Sequence, residues 1–319
     1  QRIDADRFPE AKIEKRQKSL MNKKTHSGFF GVYPMLLAFF QADGSLDLNA
    51  TALQVDALVR HGAHGCAVMG LGTEVNKLSY QERRAVIDTV AERLDGRLPF
   101  CVTVGENNVA GQIEFAHAAE AAGADWLILQ PPTVGDLPEQ ELLRFFGQIA
   151  DATSLPLGVQ NAPQYLGIGL SNAGLRELHA QHENFKIVKI EDDPLALPPL
   201  LEATDGALDV FVGRAGLEAL EVFRAGACGL IPGFETFDRL ALLFDHLGEG
   251  RDAEADALYQ SIEPALVFML KSINHFVTYS REVSARRLAL PEIHHRLGVD
   301  VTPLGQRLIE KIALQFGPL

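Results

Sequence analysis

From residue 30 to about residue 245, short runs rich in β-branched and aromatic residues alternate with longer stretches of helical period. Eight such units can be read. Their strands are "GVYPMLLAF" (31–39), "GCAVMG" (65–70), "LPFCVTVG" (98–105), "DWLILQ" (125–130), "LPLGVQ" (155–160), "FKIVKI" (185–190), "DVFVG" (209–213) and "CGLIPG" (228–233). They lack the period-two apolar–polar pattern of a sheet with one wet face. Both faces are therefore expected to be covered, as in a parallel sheet flanked by helices. Eight is the number of units that closes a (β/α)8 barrel. The rival, an open doubly wound sheet, asks for a phosphate-binding glycine loop after the first strand. Here that strand runs into "QADGSLDLNA" with no GxGxxG, so an α/β fold with a TIM barrel is favoured.

After about residue 248 the alternation stops. The expected organisation is an N-terminal extension (1–28), the barrel (29–248) and a C-terminal helical appendage (249–319). In the appendage, "GRDAEADALYQSIEPALVFMLKSINHFVTYSREVSARRL" reads as one long helix and "PLGQRLIEKIALQFG" as another. Residues 1–20 precede Met21 and carry no signal-peptide apolar core; they read as a leader without functional role.

Composition narrows the partners. With 29 Lys and Arg against 42 Asp and Glu, the formal charge is −13, which argues against nucleic acid or an anionic membrane surface. No apolar run reaches the roughly 18–20 residues of a membrane helix. Cys66, Cys101 and Cys228 lie far apart without a CxxC pair, so neither a zinc site nor a disulfide framework is expected, and three thiols suit a cytoplasmic protein. No GxSxG is present. The histidines do not sit at metal-like spacings from carboxylates, and His294 and His295 read as surface residues of a helical tail.

A barrel of this kind carries its chemistry at the C-terminal strand ends. That rule draws attention to Gly70–Glu74, Gln130–Thr133, Gln160–Tyr165, Lys189–Glu191, Gly213–Arg214 and Pro232–Glu235. Lys189 and Lys186 interrupt an otherwise apolar strand and should face opposite sides. Lys186, near the strand start, is expected to reach solvent. Lys189, near the end, should share a face with Phe185 and Ile187. An amine held neutral by burial could form a Schiff base with a ketone; equally, Lys189 could be a rim lysine paired with Glu191 or Asp192. The backbone amides of Gly72 and Thr73 could hold a carboxylate, or the loop could be a plain turn before a helix capped by Ser79 and Glu82. Gln160 ends a strand and could face the mouth, whereas Asn161, before a proline turn, reads as structural.

In order along the chain, "GVYPMLLAFFQADGSLDLNA", "GLGTEVNKLSYQERRAV", "RLPFCVTVGENNVAGQIEFAHAAEAAGAD", "KIE" (189–191) and "GACGLIPG" resemble the dihydrodipicolinate synthase / N-acetylneuraminate lyase family of class I aldolases. The resemblance spans roughly residues 29–290 and implies a Schiff-base barrel enzyme without cofactor or metal. It makes Lys189 the covalent nucleophile and assembles the protein as a homotetramer. The implied partner is a small 2-keto acid, bound by Gly72, Thr73, Gln160, Tyr165, Glu191, Gly213 and Pro232.

The chain departs from the family pattern at telling places. Leu71 and Gly72 stand where the synthase has two threonines. Gln160 replaces the proton-shuttling tyrosine, Tyr165 replaces the arginine that holds the second substrate, and "PPTVG" replaces a tyrosine pair. "QNAP" with "KIE" is more similar to the branch of 2-keto-3-deoxy-sugar-acid dehydratases. Three functions stay open: a lyase on a 2-keto-3-deoxy acid, a pyruvate-condensing aldolase or synthase, and a silent keto-acid-binding relative. Without the proton-shuttling tyrosine, proton transfer would fall to water, with or without Gln160 to position it, to Tyr165 or to the substrate itself; Glu191 and Glu235 are the charged candidates near strand ends, and each reads first as structural.

Overall fold

A computed structural model describes residues 25–133, 137–296 and 298–319; the candidate leader and Met21 lie outside the described residues. Eight parallel strands follow one another around a single sheet in the order β1-β8-β7-β6-β5-β4-β3-β2. They are β1 Gly31–Val32, β2 Cys66–Val68, β3 Phe100–Val104, β4 Trp126–Leu129, β5 Leu157–Asn161, β6 Phe185–Ile190, β7 Asp209–Val212 and β8 Gly229–Leu230. A parallel bridge from Met35 to Ala67 closes the ring between β1 and β2, with Leu36 N–H donating to the Ala67 carbonyl at 2.9 Å. The expected (β/α)8 barrel is the observed one.

The first strand is shorter than the expected 31–39. Pro34 has no N–H to give a ladder, and the chain continues through Met35, which bridges both Ala67 and Gly233. Around the barrel lie α1 Leu48–Arg60, α2 Tyr80–Leu94, α3 Val109–Ala122, α4 Glu139–Ala150, the short α5 Pro163–Leu166, α6 Asn172–Gln181, α7 Leu197–Ala203, α8 Ala219–Ala225 and α9 Phe237–Gly248. The capping box at α2 forms as its sequence dictates: Glu82 N–H donates to Ser79 Oγ at 3.2 Å, and Ser79 N–H to the Glu82 carboxylate at 2.8 Å.

The barrel interior is filled with side chains. The rings of Tyr33, Trp126 and Phe211 meet there, Tyr33 edge-on to the other two, with centroids 5.0–5.5 Å apart. Ile128, Ile187 and Ile231 belong to the same inner cluster. Strand β6 departs from strict alternation. Leu157 pairs with Phe185 but Gly158 pairs with Ile187, so one residue of β6 is skipped. This bulge turns Phe185 into the outer helix-packed cluster, while Ile187 stays inside. Phe185 therefore does not share the face of Lys189, contrary to the expected alternation. Lys186, at the bulge, is half-buried.

The C-terminal region holds a second correction. The expected single helix is two, α10 Asp252–Met269 and α11 Ile273–Arg287, followed by α12 Pro303–Phe316. The break falls at Leu270–Ser272, where Ser272 Oγ accepts from His275 N–H at 3.2 Å and starts a new helix. Residues around His294 and His295 are not helical. His295 is not a free surface group either: its Nδ1 meets Arg281 Nη1 at 2.6 Å and its Nε2 meets Glu282 at 3.1 Å.

Two buried arginines of α11 tie this region to the barrel. Arg281 forms an ion pair with Glu74 and donates to the Ala38 carbonyl at 2.8 Å. Arg287 grips Asp238 of α9 with both terminal nitrogens, at 2.9 and 2.8 Å, and donates to the carbonyls of Glu235 and Gly317. Removing one partner of a buried pair strands the other charge. Arg287→Ala is therefore expected to cost roughly 3–5 kcal/mol in urea unfolding; a loss within experimental error would show that the clamp contributes nothing.

Candidate active site

Lys189 and Gln160 are neighbours in the β5–β6 register, at the C-terminal ends of their strands. Both point into the mouth of the barrel and both are buried, at 5% and 2% exposure. The Lys189 amine contacts Glu191 Oε1 in an ion pair. Glu191 follows two residues later, at the rim. Its other oxygen accepts the Arg214 backbone N–H at 2.6 Å, and Gln160 Nε2 approaches Oε1 at 3.5 Å. Gln160 Oε1 in turn accepts from Gln130 Nε2 at 3.0 Å. The side chains at the ends of β4, β5 and β6 thus form one polar line across the mouth. The pairing with Glu191 is the one the structural alternative expected, and the amine is buried rather than solvent-facing.

Above this line is an open cleft. It brings together Gly72, Gln160, Tyr165, Lys189, Glu191 and Pro232 of the residues expected at the site. Tyr165 is 42% exposed at the entrance; burial, with the Glu191 charge as a smaller cause, holds its phenol above the ordinary value.

Two expected residues are placed differently. Thr73 does not line the cleft: its N–H donates to Gly70 at 3.1 Å, and its hydroxyl donates to the Leu36 carbonyl at 2.7 Å while accepting from Met69 N–H. Its polar groups are spent on holding the 3-10 turn of Leu71–Thr73, which leaves Leu71 and Gly72 as the cleft-facing residues of that loop. Gly213 lies behind Glu191, and a Cβ there would come within 2.3 Å of both carboxylate oxygens. It acts through space, by leaving room for that carboxylate. Asn161 is structural as expected: its side chain both donates to and is bonded by Leu170 across the α5 turn.

Several cleft residues escaped the sequence reading. Arg214 lines the wall opposite the glycine loop, within a strand-end window but with no pattern to single it out. It and Ala215 have φ of 50° and 54°, a left-handed conformation that costs energy in a non-glycine residue. Met35 enters from the first strand. Leu270, Ile273 and Phe276 come from the break between α10 and α11 and form an apolar roof. The available signal was Ser272, a good helix-starting residue inside an apparently continuous helix.

Glu235 lies behind the cleft rather than in it. It is fully buried, contacts Ser280 Oγ of α11, and leaves Oε1 without a partner. Burial raises its carboxyl from 4.5 to about 7, against a smaller opposing pull from the Ser280 bond. The folded protein holds this proton more tightly than the unfolded chain, so the group's contribution to stability falls as pH rises from 4.5 to about 7. Fully developed, that loss is on the order of 3 kcal/mol. Glu235→Gln should therefore flatten the pH dependence of the melting temperature across this window. An unchanged profile would mean that Glu235 titrates normally.

A closed parallel barrel, a polar line at its strand ends and a roof of C-terminal helices define a class I aldolase-type barrel. The chain belongs to the dihydrodipicolinate synthetase family, whose model matches residues 28–279. It is accordingly an enzyme of the Schiff-base aldolase and lyase class. It is 31% identical over 191 residues to the Escherichia coli (strain K12) protein YagE, provisionally named a 2-dehydro-3-deoxy-D-gluconate aldolase; the match covers 60% of this chain and 63% of that one. It is 26% identical over 301 residues to L-2-keto-3-deoxyarabonate dehydratase of Azospirillum brasilense, covering 87% and 94%. The 4-hydroxy-tetrahydrodipicolinate synthase of Methanococcus maripaludis (strain C5) is 26% identical over 247 residues, covering 76% and 84%. The crystal structure of YagE in complex with pyruvate superposes with a TM-score of 0.80 at 24% identity, over 90% of this chain and 97% of that one. Sialic acid aldolase of Ruminococcus gnavus superposes at 0.82 and 19% identity, over 90% and 97%. Among the described residues, no helix is long and apolar enough to cross a membrane.

Proposed function

We propose that this enzyme is a lyase acting on a 2-keto-3-deoxy sugar acid, by dehydration or retro-aldol cleavage, with Lys189 as the covalent nucleophile. The observation that carries the reading is the placement of the Lys189 amine, buried at a strand end and opening onto a cleft that Gln160, Tyr165, Glu191 and Arg214 line beside backbone and apolar side chains. The substrate carboxylate docks at the Gly72 side. The neutral amine attacks the C2 ketone and yields an iminium, whose positive charge draws electrons from C3. Loss of a C3 proton then allows expulsion of a C4 hydroxyl; alternatively the C3–C4 bond breaks and the enamine is protonated. Gln160 orients the C2 oxygen but cannot itself carry a proton. The names of YagE and of the arabonate dehydratase support a keto-deoxy acid substrate.

A second reading, condensation of pyruvate with an aldehyde, is favoured by the match to the synthase. It is weakened by Gln160 and Tyr165, which stand where the resemblance implies a tyrosine and an arginine. The proposal includes a cytoplasmic homotetramer that needs neither metal nor cofactor.

Borohydride reduction in the presence of pyruvate is expected to add one reduced adduct to the chain, mapped by mass spectrometry to Lys189. Lys189→Ala should lose both adduct and turnover while its circular dichroism remains that of the folded barrel. An adduct that persists in Lys189→Ala sinks the assignment. Incubation with a keto-deoxy acid panel then separates the chemistries: a product with the intact carbon chain, less one water, marks a dehydratase, and released pyruvate marks an aldolase.

A further inference from the structure

Making a Schiff base from an ammonium requires two proton movements at one place. Lys–NH3+ and a ketone become Lys–NH+=C and water, so both protons lost by nitrogen end on the departing oxygen. Some group must take each proton from nitrogen and return it to oxygen. Gln160 cannot do this, and an arginine does not give up its proton. Of the titratable side chains that line the cleft, Tyr165 is held above its ordinary pKa and stands at the entrance. Glu191 is the group in contact with the Lys189 amine.

We propose, resting on the Schiff-base reading above, that the Glu191 carboxylate is the proton shuttle for imine assembly at Lys189. The geometry supports this in three ways. Lys189 is the penultimate residue of β6 and Glu191 follows its final residue, Ile190, so the two side chains meet across a spacing of two. Oε2 is anchored by the Arg214 N–H at 2.6 Å, which leaves Oε1 as the oxygen turned to the amine and to Gln160. A Cβ on Gly213 would come within 2.3 Å of both Glu191 carboxylate oxygens, so its absence is the space the carboxylate fills. The residue directly after β7 thus has no side chain where the carboxylate is held against the lysine.

The steps balance. Glu191 accepts a proton from the ammonium and frees the nitrogen lone pair. The N–C2 bond forms, the carbonyl π pair moves to oxygen, and oxygen takes the proton from Glu191. A second proton passes from the carbinolamine nitrogen to Glu191 and then to the hydroxyl. The C–O bond breaks and water departs, leaving the iminium and an ionised Glu191.

Rapid-quench borohydride trapping with pyruvate as the probe tests this. Glu191→Gln should trap on Lys189 about 10²–10⁴-fold more slowly, the usual range for loss of general acid–base catalysis, while approaching wild-type extent at long times. Gly213→Ala keeps both groups but drives the carboxylate off the amine, and it should slow trapping in the same direction. Trapping at the wild-type rate in a folded Glu191→Gln overturns the proposal and leaves Glu191 only a holder of the 214 loop. Slow trapping in Tyr165→Phe with normal trapping in Glu191→Gln also overturns it. If Glu191→Gln does not fold, Gly213→Ala decides alone. Absence of any adduct in the wild type would instead fail the Schiff-base reading itself, which sets that failure apart from this one.

Discussion

An ammonium group at the top of an apolar barrel core is tolerated only when a counter-charge is held against it. Here that counter-charge is Glu191, and much of the mouth is arranged around it. Gly213 gives it room, the Arg214 amide anchors one oxygen, and Gln160 approaches the other. Arg214 and Ala215 adopt left-handed backbone in the turn that delivers this amide. The Lys189–Glu191 pair thus connects the ends of β5, β6 and β7 and sets the floor on which a substrate must sit.

The roof depends on a different set of charges. Arg281 and Arg287 run from α11 to the barrel, where Glu74 of a strand-end loop and Asp238 at the start of α9 receive them. Glu74 follows directly on the Leu71–Thr73 turn that carries Gly72. Glu235 and Ser280 meet in the same layer, just behind the Gly233 backbone of the cleft wall. The C-terminal helices are therefore part of the site: their buried side chains hold the loop proposed to take the carboxylate, and their first turns close the cleft with Leu270, Ile273 and Phe276.

Much of this was legible beforehand. The number of strand–helix units implied closure, and Lys189 stood out as a charge inside an apolar strand. The errors have local causes. A one-residue bulge in β6, which no residue pattern announces, put Phe185 outside the barrel. Ser272 was hidden inside a helical period that continued on both sides of it. A glycine-containing loop resembles an anion nest, which points to Thr73 as a binding residue; its amide is consumed by the turn and its hydroxyl by the Leu36 carbonyl.

The sequence alone determined the barrel, because hydrophobic period and glycine-punctuated spacing are properties of neighbouring residues. It also determined that a lysine ends the sixth strand. Only the tertiary structure decided what that lysine touches. The Glu191 contact could be suspected from a spacing of two, but its anchoring by an amide on β7's loop, its room beside Gly213 and the apolar roof from α10 and α11 join segments up to 85 residues apart in the chain, from Glu191 to Phe276. Such contacts depend on the closure of the ring and on where two helices part, and neither is encoded in any short window of residues.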